Sequence, residues 1–255
     1  MGELTISLLP PHKNQRKILE NRKRFNLVKS GRRFGKTELV KLLASYALQN
    51  KLIGIWFPTY KDLSEIWREL VLTFYPAILK KNEQLNQILF INGGVIDFWS
   101  MDDPDSGRGR KYHRVIMDEF AKAKKNKEAW QGTIRATLTD YKGDAWFFST
   151  PKGKGNYFYE LQQLVKDDPK WAYFKFTSYD NPYLDPTEID GARSQLDQMY
   201  FDQEYMAEDI DINDKPFMYA FNPSKHVIKS YTPNPHLPLL ISFDFNVDPM
   251  TATVS

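Results

Sequence analysis

Ser30-Gly31-Arg32-Arg33-Phe34-Gly35-Lys36-Thr37 is the stretch on which the fold turns. It follows the apolar run Phe25-Asn26-Leu27-Val28-Lys29 and precedes Glu38-Leu39-Val40-Lys41-Leu42-Leu43-Ala44, whose apolar residues are spaced as on a helix. Strand, glycine-containing loop and helix, in that order, are the setting of a phosphate-binding loop. Such a loop wraps its backbone N–H groups around phosphate oxygens, and the helix N-terminus adds a favourable dipole. In that role Lys36 neutralises the outer phosphates and Thr37 gives its hydroxyl to Mg²⁺. The usual pattern is Gly, four residues, then Gly-Lys-Ser/Thr. Here Ser30 stands in place of the first Gly and Gly31 follows one position late. A glycine-containing turn before a basic helix is the competing reading, and the flanking strand and helix favour nucleotide binding.

The second anchor is His113-Arg114-Val115-Ile116-Met117-Asp118-Glu119-Phe120. An apolar strand that ends in Asp-Glu downstream of a phosphate loop is a Walker B pattern, and the ends of parallel strands are where open sheets place ligands. Asp118 is the expected Mg²⁺ holder, and Glu119 the carboxylate that orients and polarises the attacking water. A strand running into an acidic helix start is the plainer alternative, but the pair of motifs is more specific than either half. Upstream, Pro10-Pro11 marks a helix entry, and Gln15 lies on the basic helix that follows. An amide can pair with both N6 and N7 of adenine, and a solvated Gln on a basic face is the other reading.

Further apolar runs predict more strands: Leu52–Phe57, a hairpin of 88–91 and 95–99 around Asn92-Gly93-Gly94, and Ala145–Phe148 ending in Ser149-Thr150-Pro151. Ser149 and Thr150, at a strand tip beside the phosphate site, are candidates for sensing whether phosphate is present. Strands alternating with helical stretches predict an α/β fold with a mostly parallel sheet flanked by helices. From about residue 160 the chain turns polar and acidic with interspersed aromatics, which predicts a smaller, mostly helical subdomain. Pro223, Pro233, Pro235 and Pro238 mark a linker, and Leu239–Asp248 reads as a strand carrying an Asp. The expected division is 1–160 ATPase core, 161–235 lid or linker, and 236–255 the unfinished start of another domain.

Composition narrows the classes. The chain has no cysteine, which excludes a disulfide framework, a thiol nucleophile and a Cys-based zinc site. The four scattered histidines, His12, His113, His226 and His236, read as surface or core residues rather than metal ligands. A net charge of +3 requires any nucleic-acid surface to be local. Lys122, Lys124, Lys125 and Lys127 form one such run, read either as a solvated face or as a track for a phosphate backbone. No apolar run has the length of a membrane span and the N-terminus lacks signal-peptide character, so a soluble, intracellular protein is expected.

Together these motifs resemble the ATPase domain of the large terminase subunit, the DNA-packaging motor of tailed bacteriophages. The resemblance covers most of the chain. It implies a P-loop NTPase fold of the ASCE, RecA-like kind, with ATP and Mg²⁺ as cofactors. Gln15 sits where that family contacts adenine. Ser30 to Thr37 look like its arginine-containing Walker A loop, which departs from the usual pattern in the same way. Val115 to Glu119 are similar to its Walker B with catalytic Glu, and Ser149-Thr150-Pro151 to its coupling motif. Arg32 matches a loop arginine acting on the γ-phosphate in cis, and Arg108 one that reaches the neighbouring subunit's ATP. Arg33 and Arg110 compete for these two roles. A guanidinium against a transferring phosphoryl group offsets developing charge. Asp244 resembles the first metal-binding aspartate of the family's RNase H-like nuclease, with Asp248 in the same motif. The other carboxylates would come from later sequence, so no complete nuclease site is expected here. The implied partners are double-stranded DNA, the portal protein, the small terminase subunit and further copies in a homo-oligomeric ring. The implied location is the host cytoplasm, docked transiently on the procapsid. Two other readings stand beside this one: a DExx-type helicase domain, and an ATP-gated DNA-binding assembly module with little turnover.

Overall fold

Strand β1 (Phe25–Ser30) is buried along its whole length, because parallel partners flank it on both sides and helices cover both faces. The computed structural model describes residues 5–210 and the strands Ile241–Asp244 and Thr251–Val254. Two compact units are formed, residues 1–214 and 215–255.

The first unit is built on an eight-stranded sheet. In chain order its elements are α1 (Lys13–Glu20), β1, α2 (Lys36–Ala44), β2 (Leu52–Phe57), α3 (Tyr60–Phe74), β3 (Ile78–Asn82), β4 (Gln87–Phe90), β5 (Val95–Ser100) and β6 (Arg114–Met117). There follow α4 (Asn126–Glu128), a π-helical stretch (Ala129–Ile134), α5 (Arg135–Thr137), β7 (Asp144–Ser149), α6 (Tyr157–Leu164), β8 (Trp171–Phe176), α7 (Pro186–Gln195) and α8 (Gln198–Glu204). The strand order is β3-β4-β5-β2-β6-β7-β1-β8. All neighbours are parallel except where β4 meets β3 and β5. The phosphate-loop strand β1 and the Asp-Glu strand β6 are therefore both hydrogen-bonded to β7.

The period-2 alternation of strands splits the apolar residues between two cores. Val28, Ile55, Ile116, Trp146 and Phe148 face one core, packed under α2 and α3. Leu27, Trp56, Val115, Met117 and Phe147 face the other, under α6 and the helical stretch around Trp130. Burial on both faces is why these strands read as continuous apolar runs rather than as alternating patterns. At their starts β6 and β7 are pinned by Arg114, whose Nε and Nη2 each donate to the Asp144 carboxylate at 2.7 Å.

The expected strands and the hairpin of 88–91 and 95–99 are present as β2, β4, β5, β6 and β7. Two strands were not foreseen. β3 is the outer edge, with Lys80 and Lys81 exposed, as a protected edge strand requires. β8 is the other edge and pairs with β1, with Leu27 opposite Tyr173. The sheet therefore does not end at residue 160, as the expected division has it. The helical character predicted after 161 begins only beyond β8, with α7 and α8. Its interrupted burial, with Tyr173 and Lys175 outward, hid β8 in a polar stretch.

In the second unit Ile241–Asp244 (β9) pairs antiparallel with Thr251–Val254 (β10), Asp244 opposite Thr251. The expected strand thus has a partner. The metal reading of Asp244 concerns a side chain outside the described residues, as do Asp248 and the proline-marked linker.

Candidate nucleotide site

The loop after β1 is shaped by what lies behind it. Gly31 approaches the downstream backbone so closely that a Cβ there would stand 2.3 Å from the Tyr205 carbonyl oxygen and 2.8 Å from the Ser178 nitrogen. Replacing Gly31 with Ala is expected to destabilise the fold by about 1–3 kcal/mol through overpacking. Thermal unfolding of the variant checks this, and an unchanged Tm would show that the 178 and 205 backbones do not rest on the loop. Arg33 (φ 61°) and Gly35 (φ 102°) take left-handed conformations that turn the chain into α2. That helix starts at Lys36 with no side-chain cap, so its first N–H groups have no intrahelical or capping partner.

A cleft of about 780 Å³ opens over the loop, with Arg32 to Thr37 in its wall. Phe34 contributes backbone only. Its ring is fully buried, stacked on Phe176 with centroids 4.9 Å apart, and anchors the loop to the core. Ser30 and Gly31 lie beneath the loop and do not line the cleft. The Ser30 hydroxyl is the one buried side-chain polar atom without a hydrogen-bond partner among the described residues.

The ends of β6 and β7 bring the second motif to the loop. Lys36 Nζ donates to Thr150 Oγ1 at 2.8 Å and lies 3.3 Å from Glu119 Oε1. Lys36 and the Asp118-Glu119 pair therefore meet, as the sequence reading requires. Glu119 is a non-glycine residue at φ 47°, a strained conformation of the kind found at functional sites. Asp118 is buried, and its carboxylate accepts from the Glu119 N–H at 2.9 Å. Burial, and then the charge of Glu119, push the Asp118 carboxyl up to about 7, against the pull of Lys36. Asp118 shares with Thr37 and Glu119 the wall of an adjoining cleft of about 490 Å³. Hydroxyl and carboxylate oxygens are the hard donors that suit Mg²⁺. Ser149 is buried below, donating to the Thr150 carbonyl and accepting from the Ala121 N–H.

Gln15 is also at the loop. Its amide accepts from the His12 N–H at 2.9 Å and donates to the Gly35 carbonyl at 3.0 Å. His12 caps α1 through Nδ1 and contacts the Phe34 carbonyl through Nε2. Arg108 lies elsewhere, in neither cleft wall, with its side chain 74% exposed and paired to Asp105. Arg110 is held on its own chain, over the Trp99 ring at 5.8 Å. Within the lysine run, Lys122 pairs with Asp62 and Lys127 with Glu160.

Lys152, Asn181 and Glu204 also line the cleft and were not among the expected site residues. Glu204 accepts from Arg32 Nε and from Lys152 Nζ, each at 2.6 Å. Burial works to raise its carboxyl, but the hydrogen bonds and charges of these two cations outweigh it and hold the group below its ordinary value.

A parallel α/β sheet with a lysine-bearing loop between strand and helix, and an Asp-Glu pair on a nearby strand end, defines a P-loop NTPase fold. Comparison with known proteins gives the family. The chain belongs to the terminase large subunit family, matching the model described as "Terminase large subunit, T4likevirus-type, N-terminal" over residues 27–222. It is 31% identical over 213 residues to the "Terminase, large subunit" of Escherichia phage T5, which covers 81% of this chain and 48% of that protein. The chain thus spans about half the length of the curated relative it matches. The fold is similar to the large terminase ATPase domain of Thermus phage P74-26, with a TM-score of 0.67 and 23% identity over 79% of this chain and 94% of that one. It is also similar to the large terminase of a thermophilic bacteriophage solved in complex with ADP, with a TM-score of 0.63 and 18% identity over 96% of this chain and 64% of that one.

Proposed function

We propose that this chain is the ATPase unit of a viral DNA-packaging motor, which couples Mg²⁺-dependent ATP hydrolysis to movement of double-stranded DNA into a procapsid. The observation that carries the reading is the meeting of Lys36, Glu119 and Thr150 over the loop. When bound, Mg²⁺ supplies charge neutralisation at the phosphates.

Lys36 holds the outer phosphates, exchanging its contacts with Glu119 and Thr150 for phosphate oxygens. That exchange frees the Glu119 carboxylate to orient and polarise the attacking water. Thr37 and Asp118 hold the metal, which favours the ionised form of a carboxyl that burial pushes toward neutrality. Arg32 acts on the γ-phosphate in cis. Arg108, exposed and away from its own cleft, suits contact with a neighbouring subunit's nucleotide. Gln15 reads adenine by giving up its bond to Gly35. Ser149 and Thr150 couple phosphate to the sheet, because Thr150 loses its bond from Lys36 when phosphate binds, while Ser149 ties β7 to the turn after Glu119. Portal protein, small terminase subunit and a homo-oligomeric ring complete the assembly, working in the host cytoplasm and at the procapsid. Among the described residues no helix is long and apolar enough to cross a membrane.

Phosphate release by the purified chain tests the reading. Turnover is expected with ATP and Mg²⁺ and is expected to vanish in EDTA. Equal release with and without the metal, or none in either case even with DNA added, would overturn it.

A further inference from the structure

The front half of the phosphate loop is stitched to a distant part of the chain. Gly31 N–H donates to the Phe176 carbonyl at 3.0 Å, and Arg32 N–H to the Glu204 carbonyl at 2.7 Å. Ser178 Oγ donates to the Arg32 carbonyl at 2.7 Å, and Asn181 Nδ2 to the Arg33 carbonyl at 2.6 Å. Glu204, the last residue of α8, adds its side chain to this set of main-chain links. One carboxylate oxygen takes Arg32 Nε and the other takes Lys152 Nζ.

The manner of the grip is informative. Glu204 engages the guanidinium by Nε, and Nη1 and Nη2 make no hydrogen bond among the described residues. The Glu204 side chain is 12% exposed, whereas that of Arg32 is 63% exposed, and both line the cleft with Lys152. A fixed carboxylate therefore holds a long, flexible cation by one edge and leaves its two amino groups available. An unheld arginine has many rotamers, and ordering it upon binding costs free energy that a preformed contact removes. Lys152, on the loop after β7, is drawn to the same point.

We propose that Glu204 is a positioning residue, which clamps Arg32 and Lys152 at the rim of the cleft so that both cations meet the terminal phosphate of a bound nucleoside triphosphate. This rests on the reading that Arg32 acts on the γ-phosphate of the nucleotide bound in its own cleft. The physical gain is preorganisation: donors already aimed at developing charge need no rearrangement during the reaction. The same contact links α8 to the nucleotide, since residue 204 is joined to Arg32 by both its main chain and its side chain.

The test is a double-mutant cycle on the 255-residue chain, following Mg²⁺-ATP turnover for Glu204→Gln, Arg32→Ala and the double variant. Gln keeps the side-chain volume and leaves the main-chain link through the Glu204 carbonyl intact. Glu204→Gln is expected to lower kcat about tenfold, with KM changed by less than about threefold. The double variant is expected to be slower than Arg32→Ala alone by well under tenfold, because only the hold on Lys152 is left to lose, and a purely structural role would instead give losses that multiply. The proposal is overturned if Glu204→Gln turns over at or above the wild-type rate while Arg32→Ala is impaired, or if the two losses multiply. If Arg32→Ala is itself unimpaired, the cis role of Arg32 fails and the positioning role falls with it.

Discussion

Lys36→Ala is expected to lower the affinity for ATP by about 10²–10³-fold, with hydrolysis falling below detection at working nucleotide concentrations. The side chain is 11% exposed and sits at the centre of the site, touching Glu119 on one side and Thr150 on the other. A charge-assisted hydrogen bond contributes about 1.5–3 kcal/mol, and an ammonium between phosphates makes at least two. The other cations lining the cleft are Arg32, Arg33, Lys122 and Lys152, and none of them shares the contacts of Lys36 with Glu119 and Thr150. Titration with a fluorescent nucleotide measures the loss, and thermal unfolding shows that the variant remains folded. Wild-type affinity in a folded Lys36→Ala variant would mean that the phosphates bind elsewhere.

Glu119→Gln is expected to separate binding from chemistry. Gln preserves the volume, and Lys36 leaves residue 119 for the phosphates in either case, so nucleotide affinity should stay within a few-fold of wild type. Removing a general base costs about 10²–10⁴ in rate, which is about 2.7–5.5 kcal/mol of barrier. Phosphate release under saturating ATP reads the loss, and the titration that serves for Lys36→Ala reads the retained affinity. Equal turnover by Glu119→Gln and wild type would remove Glu119 from the mechanism, and equally negligible turnover by both would leave a nucleotide-gated module in place of an ATPase. The two variants are distinguishable by design, because Lys36→Ala fails at binding whereas Glu119→Gln binds and stalls.

What was legible in the sequence followed from local signals. The loop and α2 announced themselves through Gly31, Gly35 and the helical spacing that follows. β4 and β5 were joined by Asn92-Gly93-Gly94, and Gly93 does take positive φ, at 86°. β6 and β7 were continuous apolar runs because both of their faces are covered. The edge strands β3 and β8 were missed for the opposite reason, since one side of each meets water and their composition resembles that of a loop. Phe34 shows the limit within a motif. The sequence places it in the loop, but only packing against Phe176 and His12 reveals that its ring belongs to the core.

By itself the sequence determined the chemical inventory and the class of fold: which groups can hold phosphate, metal and water, and that a parallel sheet carries them. It could do so because periodicity and glycine chemistry act over a few residues. Only the tertiary structure decided which of those groups meet. Glu204 is 172 positions from Arg32 and reaches it because β8 pairs with β1, which carries α7 and α8 back over the loop. Such a contact is set by sheet order and packing, for which no local pattern codes.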